Sequence, residues 1–280
     1  MDAPVVSVVL PTRGRASYLE VTLDSLAAQE LDEPWELLVV DDGSSDGTRA
    51  LLERREVRSL RFDPARGLNP ARNAGVRATE GELVAFTDDD VLVPPGWLRT
   101  LVDGARRHED AEAFGGPIHA RFEGGAPPGC GREEPPLTTL DLGPRDVTAR
   151  HVWGANMALR RPAFERVGEF DETIHGGGDE QEWLERLQAR GGSVMYLAGA
   201  GLDHRRTAED ARLGPLVRGA YARGRAMREF DSRQGRAPAL GHELRVLAGC
   251  GWHTVRRACP QGIVMGAHSL GRTVEAVRRR

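Results

Sequence analysis

The sequence has no lysine, so all 38 of its basic side chains are arginine, which we interpret as codon bias without functional meaning. Its three cysteines are widely spaced and match no metal-ligand pattern, so we expect a reducing compartment. No uncharged apolar run of about 18 residues or more occurs, so no segment is expected to span a membrane. The first residues also lack the basic and apolar regions of a secretory signal. We therefore expect a cytoplasmic protein.

The charge is unevenly divided along the 280 residues. Residues 1–204 carry 22 Arg and 36 acidic residues, whereas residues 205–280 carry 16 Arg and 6 acidic residues, a net charge of +10. The C-terminal part therefore faces an anionic partner or the acidic part of the same chain. Its apolar residues, such as Leu244, Trp252 and Val255, leave two interpretations open: peripheral contact with the inner face of an anionic membrane, or packing onto the rest of the protein. Aromatic residues do not alternate with the arginines, so no nucleic acid partner is expected.

The N-terminal part alternates predicted strands and helices. The predicted segments are, in order, strand 5–10, helix 17–29, strand 35–40 and helix 48–55. Ser17 followed by Glu20 matches a capping box, so we expect Ser17 to cap the first helix. The βαβα order predicts an α/β fold with a parallel sheet and a ligand site at the carboxyl ends of its strands. Residues 11–15 and 41–44 each follow a strand, so both are expected at that edge.

Three consecutive carboxylates, Asp88, Asp89 and Asp90, follow the apolar, strand-like residues 83–87. Neighbouring carboxylates repel one another, and oxygen-rich sites suit Mg²⁺ or Mn²⁺, so a metal site is expected here. A solvated acidic turn or a helix cap is the alternative explanation. His204, which follows the last predicted strand, is either structural or a further metal ligand.

Two other charged features lie at helix starts. Asp179 and Glu180 follow three glycines and open a predicted helix. Acidic residues in a first helical turn are favoured by the helix dipole, but a carboxylate on a flexible approach is also suited to be a general base. Arg72, on a turn into another predicted helix, is either a solvated charge or a phosphate partner.

Six short motifs follow one another along the chain at residues 8–15, 40–46, 71–75, 88–90, 154–161 and 178–183. In this order they resemble the family 2 inverting glycosyltransferases, over residues 5–205. The resemblance implies the GT-A fold, a Rossmann-like and mostly parallel sheet flanked by helices, here with a C-terminal helical extension. It also implies sugar transfer, with inversion, from a UDP-sugar to a hydroxyl acceptor, using Mn²⁺ or Mg²⁺ and a carboxylate base. The acceptor stays open: a lipid-linked or polysaccharide precursor, or a small natural product.

The resemblance assigns roles to individual residues. The implied donor-binding residues are Pro11, Thr12, Arg13, Arg15, Asp42, Gly43, Arg72, Asp88 and Asp89. Asp90 and His204 would bind the metal. Trp153 and Asn156 are candidates for acceptor contact, with an ordinary core role as the alternative.

The catalytic base is less simply assigned, because the family usually has Glu-Asp where this chain has Asp179-Glu180. Counting back from Arg186, which matches the family's helical arginine, places Glu180 at the base position. We therefore predict Glu180 as the base and keep Asp179 as the alternative.

The domain prediction divides the chain after residue 205. Residues 1–205 form the predicted catalytic domain, with a nucleotide-binding half at 1–115 and an acceptor-binding half at 116–205, and residues 206–280 form a basic helical extension. Two other functions remain open. A nucleotidyltransferase is disfavoured because no Gly-rich basic phosphate motif follows the first strand. A non-catalytic nucleotide-binding protein would show Gly-x-Gly-x-x-Gly there, and residues 11–18 contain only Gly14.

Overall fold

The computed structural model describes residues 3–126 and 138–278. The first elements alternate strands and helices. They are β1 (Val6–Thr12), α1 (Ala16–Ala27), β2 (Trp35–Asp41), α2 (Thr48–Arg54), β3 (Ser59–Arg61), α3 (Leu68–Arg77) and β4 (Leu83–Thr87). The predicted strand-helix-strand-helix order is therefore confirmed.

The central elements mix short strands with three helices. They are β5 (Val91–Leu92), α4 (Trp97–Arg107), β6 (Ala113–Gly115), β7 (Ile118–Phe122), β8 (Val147–Ala149), β9 (Asn156–Arg160), α5 (Arg161–Val167), α6 (Asp179–Ala189), β10 (Val194–Tyr196) and β11 (Leu202–Arg206). The C-terminal part consists of α7 (Leu213–Arg233), α8 (Leu240–Arg257) and α9 (Pro260–Arg278).

The main sheet has the strand order β3-β2-β1-β4-β9-β6-β10-β8. Its first four strands are parallel, since β1 pairs in parallel with both β2 and β4, and β2 with β3. β9 is antiparallel to both of its neighbours, β4 and β6. A smaller sheet has the order β5-β11-β7. The parallel half brings the carboxyl ends of β1, β2 and β4 to one edge.

The main sheet is covered on both faces by apolar helices. Successive residues of β1 point to opposite faces, so Val8 belongs to one core cluster and Val9 to the other. The Val8 cluster includes fully buried residues of α1 and α4, among them Trp97. The Val9 cluster includes residues of α5 and α6, where Phe164 and Trp183 stack with ring centroids 6.2 Å apart. Burial on both faces explains why the strands read as continuous apolar runs in the sequence.

The start of α1 differs from the prediction. Its N-cap is Arg15 and no side chain of the cap itself makes a capping hydrogen bond, so the predicted Ser17 cap is wrong. The backbone N–H of Ala16 instead donates to Asp46 Oδ2, 2.9 Å away on the loop after β2. A residue distant in sequence therefore satisfies the helix terminus.

The described residues divide into two compact units. The first contains residues 3–119, 138–173 and 179–204, and the second contains 120–126, 174–178 and 205–278. The functional division into nucleotide-binding and acceptor-binding halves stays a prediction. Among the described residues, no helix combines the length and apolar character that crossing a bilayer would need.

Helices α7, α8 and α9 form most of the second unit. α7 and α9 approach closely at glycines: a Cβ on Gly224 would lie 2.0 Å from the carbonyl oxygen of His268. The glycine run 176–178 of the same unit lies against α7. Gly178 has φ +87°, and a Cβ there would lie 2.6 Å from the ring of Phe230. Both the backbone conformation and the space at Gly178 therefore require glycine.

Candidate functional site

A cavity of about 360 Å³ lies at the carboxyl edge of the parallel strands, in the first unit. It is lined by Pro11, Thr12, Arg13, Arg15, Asp42, Gly67, Leu68, Ala71, Asp88 and Asp89. The structure thus brings together the residues predicted to bind the donor, apart from Gly43 and Arg72. The start of α3, at Gly67, Leu68 and Ala71, completes the wall and was missed from the sequence. The signal available was the helix start itself, since a helix N-terminus at this edge favours anions.

Asp42 shapes the wall of this cavity. Asp42 is 5% exposed. Its carboxylate accepts hydrogen bonds from the backbone N–H groups of Arg66 (2.6 Å) and Gly67 (3.0 and 3.1 Å). Arg13 lies 3.9 Å from the same carboxylate. Gly43 next to it has φ +71°, and a Cβ there would lie 3.0 Å from Ala65 N. Asp42 and Gly43 therefore fix the loop that leads into α3.

Asp89 links the loops after β1 and β4. It accepts a hydrogen bond from Thr12 Oγ1 at 2.7 Å and from Arg15 Nη1 at 2.8 Å, and Arg15 also lies 3.0 Å from Asp90. Burial raises the pKa of Asp89 to about 6, although the charge of Arg15 opposes that shift. The ion pairs of Arg15 with Asp89 and Asp90 therefore fix the acidic residues that follow β4.

Asp88, Asp90 and His204 form a cluster suited to a metal ion. One ligand atom from each lies within 4.8 Å of the others. Asp90 and His204 are buried, and β11 carries His204 to this point by pairing it with Val91 of β5. Burial and then the charge of Asp90 raise the pKa of Asp88. Two close carboxylates and an imidazole in a buried place fit a hard divalent cation.

The imidazole of His204 is oriented by a backbone carbonyl. His204 Nδ1 lies 3.2 Å from the carbonyl oxygen of Thr138, which can only accept, so Nδ1 carries the proton. Nε2 is then the atom that faces Asp90 Oδ1, at 3.1 Å. Such an outer hydrogen bond is typical of metal-binding histidines. No sequence signal marked Thr138, because a backbone carbonyl can come from any residue.

Arg72, a predicted donor-binding residue, does not line this cavity, and its contact with the nucleotide stays a prediction. It is 3% exposed and forms an ion pair with Asp179 at the start of α6, with Glu180 Oε2 at 3.8 Å. Burial lowers the pKa of Arg72, but the charges of Asp179, Glu180 and Asp88 outweigh it and raise the pKa overall. The positive charge of Arg72 therefore interacts with Asp88 at the strand edge and with the two acidic residues at the start of α6.

The path of Arg72 depends on Gly154 and Phe170. A Cβ on Gly154 would lie 2.0 Å from Arg72 Nη2, so a larger residue there would displace the guanidinium from its present position. The guanidinium carbon lies 5.6 Å from the centre of the Phe170 ring, a cation–π contact. Gly154 belongs to a motif seen in the sequence, but its function as space for a distant arginine was not predictable from it.

Asp179 and Glu180 differ in their surroundings. Asp179 is 4% exposed and its carboxylate is engaged by Arg72. Burial, and then the charge of Asp179, raise the pKa of Glu180 to about 8, while the charge of Arg72 opposes the shift. Glu180 is therefore a carboxylate with strong affinity for a proton near neutral pH.

The two predicted acceptor residues, Trp153 and Asn156, differ in burial within the first unit. Asn156 is fully buried and donates through Nδ2 to the carbonyl oxygens of Pro117 (3.1 Å) and Ala200 (2.7 Å). Its Oδ1 accepts from Trp97 Nε1 at 3.0 Å. Trp153 is half-buried and packs against the Val8 cluster. For Asn156 the geometry favours the structural alternative, because every polar atom of its side chain is already bonded.

The profile of glycosyl transferase family 2 matches residues 7–168, more than half of the chain. The chain belongs to glycosyl transferase family 2. It is similar to validoxylamine A glucosyltransferase of Streptomyces hygroscopicus subsp. jinggangensis, with 32% identity over 224 residues, covering 67% of this chain and 52% of that protein. It is also similar to pre-mycofactocin glycosyltransferase of Mycobacterium tuberculosis, with 31% identity over 238 residues, covering 81% of this chain and 48% of that protein. The chain spans about half the length of these curated relatives.

Solved structures show the same fold at low sequence identity. The mannosyltransferase PcManGT from Pyrobaculum calidifontis, in complex with GDP-Man and Mn²⁺, superposes with a TM-score of 0.65 at 18% identity, covering 100% of this chain and 89% of that one. GalNAc-T7 with UDP, GalNAc and Mn²⁺ gives a TM-score of 0.62 at 18% identity, covering 79% of this chain and 48% of that one. The predicted GT-A fold and the predicted family are therefore confirmed.

Proposed function

We propose that this glycosyltransferase moves a sugar from a UDP-sugar to a hydroxyl acceptor, with inversion at the anomeric carbon. The carrying observation is that Arg72 contacts Asp179 and Glu180 at the start of α6, in the same unit as the cluster of Asp88, Asp90 and His204. A cavity for the donor, a cluster suited to a cation and a carboxylate with a raised pKa in the same unit would support this reaction. Names of the relatives and neighbours, which refer to glucosyl, mannosyl and GalNAc proteins, support a hexosyl donor.

The donor would occupy the cavity of about 360 Å³ between the loops after β1 and β4 and the start of α3. Thr12 and Arg13 line this cavity beside Asp42, so they would contact the nucleotide. The N-terminus of α3 presents backbone N–H groups and a positive dipole end at the same wall, which favours a diphosphate. Arg15 is neutralised by Asp89 and Asp90, so it would position these acids more than it binds phosphate.

Asp88, Asp90 and His204 would hold a divalent cation, Mn²⁺ or Mg²⁺, since their ligand atoms are close and their donor chemistry fits. When bound, the cation would offset the negative charge that develops on the departing diphosphate. The residues themselves supply the geometry: Thr138 fixes the imidazole of His204, and Arg15 fixes Asp89 and Asp90.

Glu180 would be the general base. The reaction needs a carboxylate that takes the proton from the attacking hydroxyl, and the best base has a pKa near the working pH. Burial and the charge of Asp179 raise the pKa of Glu180 to about 8, whereas the Asp179 carboxylate is engaged by Arg72. Asp179 would therefore position Arg72 and support the basicity of Glu180. Loss of UDP-sugar turnover in Asp179→Asn with turnover retained in Glu180→Gln would reverse these roles.

The acceptor is proposed only as a hydroxyl compound. A lipid-linked precursor, a polysaccharide precursor and a small natural product all supply that group. The relatives' names include both a validoxylamine A glucosyltransferase and a glucosyl-dolichyl phosphate glucuronosyltransferase, so they support more than one class of acceptor. No observation on the structure favours a nucleotidyltransferase or a non-catalytic nucleotide-binding protein over glycosyl transfer.

Calorimetric titration with UDP tests the donor site. We expect binding in the presence of Mn²⁺ that is lost on adding EDTA and lost in Asp90→Ala. Asp103→Ala is the matched control, because Asp103 is an aspartate on α4 whose side chain is 50% exposed. Binding of GDP or dTDP in place of UDP would correct the donor, and no binding of any nucleotide would refute the site. Release of UDP from UDP-sugars, with NMR of the product's anomeric configuration, then tests transfer and inversion.

A further inference from the structure

Helix α8 exposes an apolar stripe to solvent. Leu244, Ala248, Trp252 and Val255 follow one another at intervals of four, four and three residues, so they share one face of the helix. Leu244 is 49% exposed, Trp252 69% and Val255 81%. Large apolar side chains gathered on one exposed face, in contrast to single scattered ones, mark a surface that binds something.

Arginines flank this stripe. Arg245 and Arg256 stand next to Leu244 and Val255 in sequence, and both are exposed. By helical spacing, these two arginines lie along the same edge of the stripe as Trp252. No ion pair within the described parts of the chain includes either of them. Their charges therefore lack an acidic partner among these residues.

The opposite face of α8 is fixed inside the second unit. Glu243 and Cys250 are the buried residues of the helix. Glu243 accepts from Arg272 Nε at 3.0 and 3.1 Å and from Arg228 Nη1 at 3.2 Å, which anchors α8 to α9 and α7. Glu243 is also the single acidic residue of α8, so the exposed face carries positive charge alone.

The charge decides between two kinds of occupant. In a symmetric dimer the same patch would face itself, and Arg245 and Arg256 would meet their own copies without acidic residues of α8 to balance them. An anionic lipid surface supplies the missing negative charge, and its boundary with the acyl chains accommodates tryptophan and aliphatic side chains. Helices with an apolar stripe and arginines at its edge are typical of such interfacial binding.

We propose that the exposed face of α8, defined by Leu244, Arg245, Ala248, Trp252, Val255 and Arg256, docks on the surface of an anionic lipid bilayer. Trp252 and Val255 enter the interfacial layer, and the two arginines contact the headgroups. The proposal is independent of the donor, the base and the acceptor, because it rests on the second unit alone.

The test is co-sedimentation of the full chain with vesicles of phosphatidylcholine alone or of phosphatidylcholine with phosphatidylglycerol. We expect sedimentation with the anionic vesicles and loss of it at high salt. Reversal of Arg245 and Arg256 to Glu should weaken vesicle binding by about fivefold or more per residue. Trp252→Ala should weaken it by about tenfold. Arg49→Glu is the matched control: the side chain of Arg49 is 73% exposed in the first unit, and its reversal should leave binding unchanged.

Tryptophan quenching locates the contact. Brominated lipids should quench a fraction of the emission of the full chain, and Trp252→Phe should remove that fraction, since Trp97 and Trp183 are fully buried and Trp35 and Trp153 are half-buried in the first unit. Equal urea midpoints for all variants will show that the fold is intact. The proposal would be overturned if sedimentation were equal with neutral and anionic vesicles. It would also be overturned if neither the arginine reversals nor Trp252→Ala reduced sedimentation. A dimer, seen by light scattering, that Trp252→Ala dissolves while vesicles leave the protein in solution would overturn it as well.

Discussion

Replacing Arg72 by methionine tests the centre of the site. The side chains of Arg72 and Asp179 are 3% and 6% exposed, so the change leaves a buried carboxylate without its partner. Removing one member of a buried ion pair costs about 3–5 kcal/mol. With a urea dependence of about 2–3 kcal/mol per molar, the unfolding midpoint should fall by about 1–2.5 M.

The matched control is Arg77→Met on the same helix. Arg77 pairs with Glu169, but its side chain is 50% exposed, so the loss should be at most about 1 kcal/mol. The double variant Arg72→Met with Asp179→Asn should recover part of the loss, because both charges are then gone. Equal midpoints for the Arg72 and Arg77 variants, or costs in the double variant that simply add, would refute the buried pair.

The same variant has a second, independent effect on the pH profile. The charge of Arg72 lowers the pKa of Glu180, so removing it should raise that pKa further. Below this pKa Glu180 is protonated and cannot accept a proton, so the rising limb of kcat/KM should move to higher pH. If the rising limb of kcat/KM stays at the same pH, measured with saturating Mn²⁺, Arg72 does not influence the pKa of the base.

Three further predictions follow from local geometry. Glu180→Gln should lower turnover by about 10²–10⁴-fold with UDP binding intact, and the remaining activity should lose the rising limb near pH 8 that the raised pKa of Glu180 predicts; steady-state kinetics over pH measures both. Gly75→Ala should destabilise the protein by about 1–3 kcal/mol, because the new Cβ would lie 2.2 Å from Val9 Cγ1. Gly249→Ala is the control in the same thermal melt and should not destabilise, because a Cβ there would meet no atom within 4 Å beyond its chain neighbours and the nearby backbone of its own helix. Asn156→Ala should lower the urea midpoint by leaving buried partners unsatisfied; a normal midpoint with a raised acceptor KM would instead restore the predicted acceptor contact.

The sequence predicted the parallel half of the fold well because its signals are local. Apolar runs between loops marked β1, β2 and β4, and the chain order required their carboxyl ends to meet. The acidic cluster followed from the same logic, since Asp88 and Asp90 end a strand at that edge. The second half was harder, because β6 and β8 have only three residues each and their pairing depends on distant partners.

The roles of single charged residues were less predictable. Arg72 stands next to the donor loops in sequence, yet its partner Asp179 is 107 residues away. The cap of α1 failed for the same reason, because Asp46 replaces the local Ser17 through an approach of loops that no short window shows. Sequence patterns identified the types of residue at the carboxyl edge of the sheet. Which of these residues pair with one another is determined by tertiary packing.

The glycine run at residues 176–178 has a consequence for how this protein can be recombined. These residues lie on α7 in the second unit, and the chain then passes directly from Gly178 to Asp179, the first residue of the helix that carries Glu180. A chimera made by one junction near residue 205 would join a foreign α7 to a native glycine run. The residue of the foreign helix at the position of Phe230 would then determine whether Gly178 can still pack against that helix. When the C-terminal helices are exchanged between relatives, segment 174–178 should therefore be exchanged with them. A single junction in the sequence does not separate the two units.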